Sequence, residues 1–129
     1  MTNLIALLAG LVVLAALHVT GSIQTWDLSH PFWHLRATLT GAGAAVILTL
    51  GLFWTGARWP RIATGLTAGL VIALPVAAYV TWRAARTFID SADFEPAAGQ
   101  VWFMGYHVTA ALIVICTALV TARLLQRTE

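Results

Sequence analysis

The sequence predicts an all-α polytopic membrane protein, a four-transmembrane-helix up-down bundle. Three observations carry that expectation. Of the 129 residues, 60% are hydrophobic and only 9% are charged; the apolar residues gather in four runs of spanning length; and the six tryptophans fall at the ends of those runs. A soluble domain carries about 25% charged residues. A soluble domain this small also exposes about a third of its potential surface, so the apolar excess is more than a soluble core can hide. The chain therefore reads as one membrane domain, residues 1–129, solvated by a lipid bilayer.

A helix that crosses a bilayer needs about 20 mostly apolar residues. Four stretches meet this: Leu4 to Thr25, Phe32 to Thr55, Ile62 to Trp82 and Val101 to Leu125. The first resembles a signal peptide in length. Met1, Thr2 and Asn3 carry no basic side chain, however, and no small-residue cleavage pattern follows, so a retained helix is expected. Trp26, Trp33, Trp82 and Trp102 mark one interface, and Trp54 and Trp59 the other, because an indole ring is apolar while its N–H wants a polar partner. The outer loop, residues 83–100, contains Asp90, Asp93, Glu95, Pro96 and Gly99 and has room for a short interfacial helix.

Charge sets the expected orientation. All seven basic residues are Arg. Arg58 and Arg61 sit in the tight second connection, and Arg123 and Arg127 near the C-terminus. Asp27, Asp90, Asp93 and Glu95 lie at the opposite face, together with Arg83 and Arg86. The positive-inside rule then places both termini in the cytoplasm of a bacterial-type inner membrane. The arginines form no patch, so nucleic acid is not an expected partner. The chain has no Lys, which excludes lysine Schiff-base chemistry. Cys116 is the single cysteine, lies in an apolar run, and is expected to act as a small apolar residue.

Within the spans, Gly41, Gly43, Ala44, Ala45, Gly65 and Gly69 are expected to form the surface where helices approach. Pro75 is expected to kink the third span. No span carries an acid or a base at mid-membrane, which argues against an ion or proton pathway.

The four histidines are the exception to this plain interior. Alternate helices run in opposite directions, so His18, His30, His34 and His107 all fall in the same, outer half. At about 1.5 Å per residue, His18 is expected about 12 Å below Trp26 and His107 about 8 Å below Trp102. His34 is expected at the interface and His30 in the preceding loop. His18 and His107 thus become the pair expected at matching depth, on two terminal helices that can be neighbours. Three readings follow. The imidazoles bond across helices to Thr20, Thr38, Thr109 or a carbonyl and bind no cofactor. Alternatively, His18 and His107 ligate haem b, with Gly21 and Gly105 making room and Arg36, Arg83 or Arg86 meeting the propionates; a quinone beside it would use Arg36, Tyr106 or a histidine. In the third, His18, His30, His34 and His107, with Asp27, hold copper or zinc. Little chain lies outside the spans, so an enzyme with its own soluble active site is not expected. A small subunit of a larger redox assembly, of respiratory or other type, is the leading expectation. A purely structural accessory subunit is the alternative.

Overall fold

The computed structural model describes residues 1–127. These form five helices: α1 (Thr2–Val19), α2 (Ser22–Thr25), α3 (His34–Arg58), α4 (Pro60–Asp90) and α5 (Pro96–Gln126). All but the single-turn α2 are long and apolar enough to cross a membrane. The chain is thus a multi-pass four-helix bundle.

Helix α5 is its axis. It packs against α1, α3 and α4, while the backbones of α1 and α4 do not approach closely among the described residues. Three close approaches explain the arrangement. A Cβ added at Gly10 of α1 would lie 2.5 Å from the Val114 carbonyl oxygen. One at Gly41 of α3 would lie 2.9 Å from Ala110 Cβ and 3.0 Å from the His107 carbonyl oxygen. One at Gly105 of α5 would collide with the Thr81 hydroxyl of α4. Each flanking helix thus reaches α5 through a missing side chain, as expected where lipid supplies no hydrophobic drive and van der Waals contact must. Cys116 adds a link between α4 and α5, its thiol donating to the Leu70 carbonyl at 3.3 Å.

Several expectations need correcting. Gly43, Gly65 and Gly69 meet nothing within 4 Å and face outward. The sequence shows small residues but not which side of the helix meets α5. Gly43 is two residues from Gly41, about 200° around the helix, so only one of the two can face α5. Trp102 is not an interfacial anchor: it is 4% exposed and packs with Ala84, Ala85, Trp33 and Phe88.

The ends of the spans also shift. α4 continues to Asp90 and α5 begins at Pro96, which reduces the outer loop to residues 91–95. Arg83, Arg86 and Asp90 lower the hydropathy of this stretch without breaking the helix, because Thr81, Ala84 and Ala85 keep a small buried face. At 31 residues each, α4 and α5 are about 46 Å long, well beyond a hydrocarbon core of about 30 Å. Pro75 lies inside α4, which runs on through it.

Candidate functional site

The histidine end is shaped by an early stop in the first span. α1 finishes at Val19, not near Thr25. Gly21 follows with φ of 72°, a left-handed conformation that glycine adopts without steric cost. The chain then turns through α2, and Asp27 takes a second left-handed position, φ 52°, which aspartate tolerates better than most residues. Ile23, Leu28 and Ser29 are buried and pin this segment down. Arg86 ties it to α4 through a 2.6 Å ion pair with Asp27. Pro31 to Trp33 form a turn, and α3 starts at His34 beside the end of α1.

This path overturns the expected separation of His18 and His34 by depth. Their rings stack, with centroids 4.8 Å apart and planes 25° from parallel. The His18 ring also meets Thr38, Nδ1 to Oγ1 at 3.2 Å. Thr38 in turn lies 2.6 Å from the Tyr106 hydroxyl and donates to the His34 carbonyl at 2.8 Å. Tyr106 is completely buried. Three helices therefore meet at one threonine.

Counting protons fixes the direction of every bond here. A hydroxyl has one hydrogen and two acceptor lone pairs. The Thr38 hydrogen goes to the His34 carbonyl, which can only accept. Tyr106 O–H and His18 Nδ1–H must then both donate to Thr38. His18 is accordingly the Nδ1–H tautomer, with its lone pair on Nε2. Two further imidazoles are fixed by carbonyl partners, which can only accept. His34 Nδ1 is 2.6 Å from the Pro31 carbonyl, and His107 Nδ1 is 2.7 Å from the Phe103 carbonyl; both must carry the proton on Nδ1. His30 is the reverse, since its Nδ1 accepts from the Phe32 backbone N–H at 3.1 Å. In its neutral form each of the other three histidines carries its lone pair on Nε2.

An aromatic layer closes the site. Trp33 lies edge-on to Trp102 at 5.7 Å and to Phe103 at 5.1 Å, and is tilted against Tyr106 at 6.0 Å. His30 packs on Trp33 at 6.1 Å and edge-on to Trp102 at 5.4 Å. In this layer Trp102 Nε1 is buried without a hydrogen-bond partner among the described residues, as is Ser29 Oγ, one residue before His30.

The remaining expected site residues divide clearly. His107 sits on α5 one position from Tyr106, edge-on to Phe103 with ring centroids 4.5 Å apart, and α5 packs directly against α1. The expected adjacency of these two helices therefore holds. Arg36 does not join: it lies about 200° from both His34 and Thr38 around α3, on the exposed side. Tyr106 joins, its hydroxyl 2.6 Å from that of Thr38. Gly105 makes no room for a porphyrin, because Thr81 fills the space beside it. Gly21 serves the backbone turn, with open space around it. Asp27 is committed to Arg86, and His30 to the aromatic layer. Among the described residues, no three His, Cys, Asp or Glu side chains come together to hold a metal ion, so the expected copper or zinc set is not assembled.

Sequence reasoning missed the His18–His34 stack and the central position of Thr38. The available signal was Thr20–Gly21–Ser22, a turn-forming triplet that interrupts an otherwise apolar run. No protein-family model, curated protein or solved structure matches the chain.

Proposed function

We propose that this chain is a small membrane subunit of a larger redox assembly and binds haem b at its histidine end, with His18 and His107 as axial donors. The observation that carries this reading is the tautomer pattern, which His34 shares, taken with the place of His18 and His107 on two helices that pack together. His18 spends its Nδ1 proton on Thr38 and His107 spends its own on the Phe103 carbonyl. A ligating histidine needs that arrangement, because the outer bond fixes ring and tautomer and leaves Nε2 to the metal. The two residues stand on helices that pack together, amid apolar side chains of the kind that tune a haem iron. Bound haem would supply one-electron transfer; the protein's part is to hold two neutral imidazoles and keep water out.

A bacterial-type inner membrane with both termini cytoplasmic belongs to the same proposal. In its support, Asn3 and Gln126 line one cleft and so share an end of the bundle, the end that carries Arg58, Arg61 and Arg123.

Haem titration of the purified chain tests the proposal. It predicts one haem per chain for the wild type, and loss of low-spin binding in His18→Ala and in His107→Ala. Retention in both variants overturns the assignment of the pair. A second reading, an accessory subunit without cofactor, is favoured by the bare outward positions of Gly43, Gly65 and Gly69, which suit close approach of helices from a neighbouring subunit. Copurification with a larger complex that lacks haem would support it.

A further inference from the structure

The opposite end of the bundle holds a second site, independent of the haem reading. A cleft of about 290 Å³ opens between the N-terminus of α1, the α3–α4 junction and the C-terminal turns of α5. Its polar lining comprises Asn3, Thr64, Thr67, Arg123 and Gln126, while Leu52 and Leu119 are among its apolar walls. Arg123 is half-buried, and among the described residues its hydrogen bonds come from one nitrogen, Nη2. That nitrogen reaches the Ala63 carbonyl at 3.4 Å and the Thr67 hydroxyl at 3.3 Å. Both contacts are long for a charged donor, whose bonds to an anion run about 2.7–2.9 Å. The Ala63 carbonyl already accepts from the Thr67 hydroxyl at 2.7 Å. A guanidinium has five donors and never loses its charge, so Arg123 is positioned and poorly satisfied.

Among the described residues no acid neutralises it. Of the five acids, Asp27, Asp90, Asp93 and Glu95 all belong to the histidine end, and Glu129 lies outside the described residues. Among the described residues the only ion pair is Arg86–Asp27. The N-terminus of α4 borders the same cleft at Pro60, Ala63 and Thr64, and no side chain caps it. A helix N-terminus and an unneutralised arginine both favour an anion. The cleft lies just below the range of whole-ligand pockets, about 300–1,000 Å³. It therefore suits a headgroup rather than an entire amphiphile.

We infer that this cleft binds the phosphate of an anionic membrane lipid. Arg123 makes the charged contact, Thr64, Asn3 and Gln126 surround the headgroup, and the acyl chains run out along Leu52 and the neighbouring apolar surface. The ligand chemistry is a phosphate monoanion on an apolar tail.

The test uses the full chain in detergent, with thermal unfolding read as phosphatidylglycerol, phosphatidylcholine or inorganic phosphate is added. Phosphatidylglycerol is expected to raise the unfolding midpoint of the wild type, and phosphatidylcholine to leave it unchanged. Arg123→Gln should weaken the phosphatidylglycerol effect roughly tenfold or more in lipid concentration, the scale of one charge-assisted bond. Arg58→Gln and Arg61→Gln, which lie outside the cleft, should retain it. If Arg123→Gln does not fold, Thr64→Trp fills the cleft while keeping the charge, and should abolish the effect. Equal loss in all three arginine variants would mean diffuse attraction and overturn the site. Equal protection by inorganic phosphate would overturn the lipid as its source. Protection appearing only in Glu129→Gln would show that the chain's own carboxylate fills the cleft, and would also overturn it.

Discussion

At the scale of single residues, Thr38 and Thr81 make an instructive contrast. Both are buried, and both contact a hydroxyl on α5. Thr38 accepts from both Tyr106 and His18. Thr81 donates to the Ala77 carbonyl at 2.7 Å, and its partner Thr109 donates to the Gly105 carbonyl at 2.8 Å. Each has then used its one hydrogen, so their 3.3 Å approach is contact without a hydrogen bond. Thr38→Val should therefore cost about 1–3 kcal/mol, because it strands a buried donor. Thr81→Val should cost less than about 1 kcal/mol, near the average for polar contacts between membrane helices. Unfolding of both variants in mixed micelles measures the difference. Equal losses would show that the proton count at Thr38 is wrong.

At the scale of elements, the missing side chains on α1 and α3 set how closely α5 can be surrounded. Gly10→Ala should destabilise the bundle by about 1–3 kcal/mol, since its Cβ would press on backbone that cannot rotate away. Gly41→Ala meets a carbonyl as well as a Cβ and should behave alike. Gly65→Ala and Gly69→Ala should leave the isolated chain unchanged or slightly more stable, because alanine is the better helix former and nothing stands in its way. The same unfolding measurement ranks these four variants. A cost at Gly65 matching that at Gly10 would contradict the packing described for α4. This is also where the sequence stops being legible. The four spans could be read because lipid imposes a length and a composition on each one. Which glycine faces α5 could not, since Gly41 and Gly43 differ only by a rotation that neighbours decide. Likewise, hydropathy ends the third span at Trp82, whereas α4 continues to Asp90 because its small residues still have α5 to pack against.

Over the whole molecule, the two ends are chemically distinct. One gathers histidines, buried aromatic rings and the Arg86–Asp27 pair. The other carries arginines, with no acid among the described residues. Grouping the histidines in one half was readable from topology alone, since alternating helix direction puts their positions at the same end. Their partnerships were not, because those depend on α1 stopping at Val19 and on a left-handed Gly21 that returns the chain beside it. As a result His18 bonds to Thr38 and stacks on His34, and its Nε2 is left bearing the lone pair. The most direct test of the haem proposal is a reduced-minus-oxidised visible spectrum of the chain produced with haem supplied. Haem ligation by this pair predicts b-type bands in the wild type that vanish in His18→Ala and in His107→Ala. A colourless wild-type preparation, or bands that survive in both variants, would contradict it.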